Sequence, residues 1–294
     1  RFATCPGPGQ QRTLSVKLSD ASSWRSRVSS SGALTDSRER ELAGFLERFV
    51  AELQPLERQH NEAFWLANTT GEARYEAESA RLDAAMRKMY ARPEPFRMLS
   101  QLRSGGPLAD PQLDRQLTLL HHSHRARQLS PDMIERQVQL EKGLESRFNQ
   151  FRAELQGQRV TDNALVEMLR TCDDLTLRRD AWEASKQVGR EVEADLIALV
   201  KLRNEGARQL GFANYYSMSL ELEELDESEM FALFDELERE TATLWKEYKG
   251  ALDRQLAQRF GVGVDALRPW HYADPFFQEA PPTELSLDPF YAAL

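Results

Sequence analysis

The densest concentration of side chains that could do chemistry is "HHSH" at 121–124, where His121 and His124 stand three apart. On a helix that spacing puts two imidazoles on one face. A hydrolytic zinc helix, however, uses H-E-x-x-H, with histidines four apart and a glutamate between them to act as base. Neither feature is present here, so the four residues read as a solvated or hydrogen-bonded histidine face rather than a metal centre. His60 and His271 are isolated. The sequence contains no G-x-S-x-G nucleophile elbow, no phosphate-binding glycine loop and no C-x-x-C pair. Acidic pairs such as Asp173 with Asp174 and Glu223 with Glu224 read as solvated surface in a chain of net charge -9. "NTT" at 68–70 fits a glycosylation acceptor, a three-residue pattern too common to carry weight without a secretory signal. No residue of 1–294 is therefore expected as a catalytic group or a metal ligand.

The elements that would have to position any site are helical. At 294 residues, with 41% hydrophobic and 29% charged side chains, the chain can bury a core as one large domain or two smaller ones. Its acidic balance excludes a nucleic-acid surface, which needs concentrated Lys and Arg. The longest aliphatic stretch lies near "LIALV" at 196–200, far short of the roughly 20 residues that span a bilayer. Cys5 and Cys172 suggest neither a disulfide framework nor a cysteine zinc cluster, and with no secretory apolar stretch the cytoplasm is the expected compartment. Residues 1–35, rich in Ser, Arg, Gly and Pro with Asp20 as their single acid, are expected to be disordered.

Punctuation is clear from residue 36 onward. Asp36 with Glu39 predicts a capping box before a stripe of Leu42, Phe45, Leu46, Phe49, Val50 and Leu53, with a kink at Pro55 and a stop at "NTTG". Tyr75, Leu82, Met86 and Met89 mark a second helix that "RPEP" at 92–95 ends. Asp110 before Pro111 and Ser130 before Pro131 open two more, the latter expected to run through Phe148, Phe151 and Leu155 to Gly157. Thr161 opens another. A helix carrying Leu196, Leu199, Val200, Arg203, Ala207 and Leu210 stops at Gly211, and Phe212, Tyr215 and Tyr216 crowd its end. Asp226 with Glu229 caps a long helix closed by Phe260 and Gly261. No alternating strand stands out, so the expected fold class is all-α.

Residues 172–238, "CDDLTLRRDAWEASKQVGREVEADLIALVKLRNEGARQLGFANYYSMSLELEELDESEMFALFDELE", resemble the angiotensin-converting-enzyme family of zinc peptidases. The matching positions are Asp174, Ala181 and Trp182 in one helix. Leu199, Val200, Leu202, Asn204, Ala207, Arg208, Gly211, Phe212 and Tyr215 match the next helix and its end. "FWLANTTGE" at 64–72 resembles the family's W-x-x-N-T segment, and "LRPWHYADPFFQEAP" at 267–281 its loop into the cleft. The resemblance covers roughly 36–294.

It implies a two-lobed, almost wholly helical enzyme with a deep cleft that cleaves short peptides near the C-terminus, a peptidyl-dipeptidase or related oligopeptidase. Zinc would be held by H-E-x-x-H and a farther glutamate, and in family order that motif follows the segment matching 267–281. The expectation is thus the N-terminal part of such a peptidase, 36–294 forming its first lobe and short peptides its partners, with zinc ligands outside this chain and no activity from this part alone. The alternative is a metal-free helical peptide-binding or interaction module on the same scaffold. One position carries over as a substrate contact. Gln278, the glutamine of "FFQ", stands where the family's W-A-Q glutamine helps hold the substrate's C-terminal carboxylate, with Phe276 and Phe277 replacing the other two residues. Read without the resemblance, Gln278 is an exposed loop amide.

Overall fold

Helices begin where short polar side chains can take up the free amide groups of a first turn. The protein is described by a computed structural model over residues 36–277. Residues 1–35, expected to be disordered, and Gln278 lie outside the described residues. The described chain divides into two units, one of residues 36–143 with 198–225 and the other of 144–197 with 226–277.

In the first unit, α1 (Ser37–Thr70), α2 (Ala73–Tyr90), α3 (Pro93–Ser104) and α4 (Pro111–Arg125) enclose one core of Leu42, Phe49, Met89, Leu99, Leu113 and Leu120 among others. Asp36 caps α1 by accepting the Arg38 N–H at 2.8 Å, but the expected capping box does not form. Glu39 is buried and accepts the Asp110 backbone N–H at 2.8 Å instead. That amide lies at the start of α4 with no helical acceptor of its own, and a buried amide without a partner costs more than a frayed cap. α1 runs through Pro55 as one helix and stops at Gly71, whose φ of 69° needs no side chain. "RPEP" does end α2, and its Pro93 also opens α3, a helix the sequence reading did not separate. Asp110 caps α4 by accepting the N–H groups of Gln112 and Leu113.

α5 spans Pro131–Gln150 and is shorter than expected. Past it the chain forms a hairpin, β1 (Ala153–Leu155) against β2 (Gln158–Val160), antiparallel with Leu155 opposite Gln158. Gln156 at φ 51° and Gly157 at φ 77° make the two-residue turn, so Gly157 is a hairpin residue and not a helix stop. Three-residue strands are too short for alternation to show in the sequence. Burial shows it: Ala153 and Leu155 face the second unit's core of Leu165, Ala181 and Ala184, while Glu154 faces out. The backbone of Glu154 is closed by the Gln187 side chain, which donates to its carbonyl at 3.0 Å and accepts its N–H at 2.9 Å.

α6 (Asp162–Thr171) is capped by Thr161, as expected, and α7 (Leu175–Ser185) by Asp174. α8 (Gln187–Gln209) and α9 (Tyr215–Leu222) follow, then α10 (Glu227–Phe260), capped by Asp226 and closed by Gly261 at φ 64°. Apart from the one hairpin, the regular structure among the described residues is helical, and the fold class is all-α. No described helix is long and apolar enough to cross a membrane.

Candidate functional site

The described chain stops one residue before Gln278, so what it defines is the segment leading there. Residues 268–277 have one short 3-10 turn, Pro269–His271, and otherwise no regular structure, so their carbonyls need partners from elsewhere. One face of α7 supplies them. Arg178, Trp182 and Lys186 recur at i, i+4 and i+8, on one side of the helix. Arg178 is fully buried; its guanidinium donates to the carbonyls of Trp270 at 2.7 Å, Cys172 at 2.8 Å and Tyr272 at 3.0 Å, and lies 4.8 Å from the Phe260 ring centre. Burial, helped by neighbouring Arg259, pulls its pKa down to about 10, which leaves it charged at neutral pH. Trp182 meets the Trp270 ring edge-on at 5.9 Å. Lys186 donates to the Pro275 carbonyl at 3.2 Å and stands over the rings of Trp182 and Phe276.

Tyr272 is held at its other end too. Its hydroxyl donates to Asp253 at 2.8 Å and accepts from Lys249 at 2.8 Å, while Lys249 also binds both Asp253 oxygens. Burial would lower the Lys249 pKa, but the hydrogen bonds it donates to Asp253 and Tyr272 outweigh that and raise it. Phe277 takes φ 59°, a left-handed backbone that costs a bulky residue of order 1–3 kcal/mol. Phe276 and Phe277 are both exposed.

"HHSH" is taken up by packing. His121 Nδ1 accepts from Arg103 at 2.8 Å, His122 donates to the Leu222 carbonyl at 3.2 Å, and His124, fully buried, donates to the Leu120 carbonyl at 2.8 Å. Phe45, Phe49 and Tyr90 surround the His124 ring, and its Nε2 is buried without a hydrogen-bond partner. Burial lowers all three pKa values, those of His121 and His124 to about 4, so all three are neutral at pH 7.

The helix end at 196–220 is a Schellman motif: Gly211 at φ 87°, the Phe212 N–H on the Ala207 carbonyl at 3.0 Å and the Gly211 N–H on that of Arg208 at 3.1 Å. Phe212 is buried with Ala207 and Met218, and Asn214 caps α9 by accepting the Ser217 N–H. Of the aromatic cluster, Phe212 and Tyr215 pack between two successive helices, while Tyr216 is exposed.

The sequence profile of the angiotensin-converting enzyme family, peptidase family M2, matches residues 36–268. The chain belongs to this family. The match takes in α1 through α10 and ends where the segment gripped by α7 begins. Comparison with curated proteins returns no match. Zinc, the metal that family membership implies, finds no fit here: among the described residues no group of three or more His, Cys, Asp and Glu side chains could hold an ion. That Arg178 and Lys186 hold the segment at 268–277 was missed in the sequence, where "LRRDAWEASK" reads as a charged helix. The signal available was the spacing of Arg178, Trp182 and Lys186 along one face.

Proposed function

We propose that this chain is the N-terminal part of a zinc-dependent peptidase that hydrolyses short peptides, a peptidyl-dipeptidase or a related oligopeptidase. The observation that carries the reading is the family match over 36–268 in a sequence that contains no H-E-x-x-H. In the resemblance that motif follows the loop at 267–281, so the metal and the water it activates belong to polypeptide beyond that loop. This chain's contribution is scaffold and one substrate contact: Gln278, whose amide can donate to a peptide's C-terminal carboxylate. The uncovered apolar face of α10, with Phe231, Phe234, Leu237, Leu244, Trp245 and Tyr248 all exposed, supports a part that packs against further structure.

The test is to express residues 1–294 alone and in a longer chain carrying the polypeptide that follows. The short chain is expected neither to retain stoichiometric zinc after dialysis nor to cleave short peptides; the longer one should do both, losing cleavage to a chelator and regaining it with zinc. In the longer chain Gln278→Ala should raise KM for peptides with a free C-terminal carboxylate more than for their C-terminal amides. A continuing frame without H-E-x-x-H, with peptide binding retained, would replace the enzyme reading by a binding module.

A further inference from the structure

We propose that α10 is the docking site for one amphipathic helix, with an apolar seam flanked by Lys and Arg, carried by the polypeptide that completes this enzyme. This rests on the reading of the chain as the N-terminal part of a longer protein. Every residue of α10 from 231 to 248 is exposed, so about five turns of helix have no covered side. A helix standing free in water is marginal, and most helical stability in proteins comes from burying an amphipathic face. That face is present. Met230, Phe234, Leu237, Thr241, Leu244 and Tyr248 recur at alternating spacings of four and three, the a and d positions of a heptad pattern. A seam of this kind takes one partner helix along its length. The charges beside it say which. The e and g positions that border the seam carry Glu238, Glu240 and Glu247 as well as Phe231, Leu233 and Trp245, and residues 227–248 hold seven acidic side chains against two basic ones. Arg239 pairs with Glu236 at 4.0 Å away from the seam, and Glu238, Glu240 and Glu247 have no ion-pair partner among the described residues. Flanking charges of a helix pair set partner choice, so three unpaired carboxylates call for Lys and Arg opposite them. A second copy of α10 does not supply those. Paired antiparallel about the middle of the seam, it would set Glu240 against its own equivalent or against Glu247; paired parallel, it would lay two acidic stretches side by side.

The experiment has two arms. In the first, the 294-residue chain, at a concentration where light scattering reports a monomer, is titrated with two designed helical peptides of about three heptads. Both carry Leu along the seam; one has Lys and the other Glu at the flanking positions. The Lys peptide should bind on the order of tenfold more tightly at low ionic strength, with the preference shrinking as salt is added. The triple variant Glu238→Lys, Glu240→Lys, Glu247→Lys should invert the preference, and the corresponding triple Gln variant should abolish it. All three side chains are exposed, so neither variant disturbs the core. Equal binding of the two peptides, binding of neither, or a preference that the Lys variant leaves in place overturns the proposal. In the second arm, amide hydrogen exchange over residues 231–248 is compared between this chain and the longer one. Exchange should be fast in the short chain and slowed in the longer chain at every concentration, and the triple Lys variant should restore fast exchange in the longer chain. Exchange as fast in the longer chain as in the short one removes the proposed source of the helix. Protection that grows with concentration alongside a dimer by light scattering makes the occupant a second copy; either result overturns the proposal. A longer chain that protects α10 yet holds no zinc would overturn the peptidase reading and leave this one standing.

Discussion

The side-chain oxygen of Asn204 in α8 accepts the backbone N–H of Tyr215, the first residue of α9, at 2.9 Å. The amide of a helix's first residue has no acceptor within its own helix, and here one is supplied from the preceding helix across the Gly211 turn. Asn204→Ala leaves that amide unsatisfied and part-buried. It is expected to lower unfolding stability by about 1–2 kcal/mol, while Asn204→Asp, which keeps the acceptor, costs less. Urea unfolding of the two variants separates the hydrogen bond from simple loss of packing.

Glu141 receives Arg87 at 2.6 Å and Arg203 at 2.7 Å, all three largely withdrawn from water. Burial pushes the Glu141 carboxyl pKa up, and the two arginines overcome that and hold it below the ordinary range. Glu141→Gln would leave two buried guanidinium groups without this counter-charge and is expected to cost about 3–5 kcal/mol, against under about 1 kcal/mol for removing an exposed partner such as Glu94. A loss of the same size for both in denaturant titrations would refute the buried network's importance.

His124 makes stability depend on acidity. Its folded pKa of about 4 lies below the ordinary 6.5, so the unfolded chain binds the proton more readily; the contribution is complete above pH 6.5 and is lost as pH falls towards 4. The difference corresponds to about 3 kcal/mol for this site, and His121, shifted in the same direction but half exposed, adds less. His124→Leu should flatten stability across that window when unfolding is followed at a series of pH values. A variant as acid-sensitive as the parent would assign the effect elsewhere.

The face of α10 formed by Phe234, Leu237, Leu244 and Tyr248 is exposed along most of the helix, whose buried residues are Leu256 and Ala257 near its end. The 294-residue chain is therefore expected to bind a hydrophobic dye and to self-associate as concentration rises. Leu244→Lys with Trp245→Lys should reduce both without lowering the unfolding midpoint, because Leu244 is 70% exposed and Trp245 57%. Light scattering that shows a monodisperse, dye-silent parent would mean the face is covered.

Local side chains were enough to place most helix starts. Asp36, Asp110, Thr161 and Asp226 each accept an amide in the turn that follows, and Gly71, Gly211 and Gly261 end helices at positive φ, because caps and left-handed turns are decided within a few residues. The family was legible for the same reason, its motif lying in one continuous stretch of α7, α8 and α9. Contacts between residues distant in the chain were not legible. Glu39 leaves its own capping box for Asp110, 71 positions away, and Arg178 serves carbonyls 92 and 94 positions away. Main-chain carbonyls leave no mark in a sequence, and a buried arginine is written with the same letter as an exposed one. Which of the two Arg178 would be was decided only when the tertiary structure brought an irregular segment, with hydrogen bonds to be satisfied, against its face of the helix.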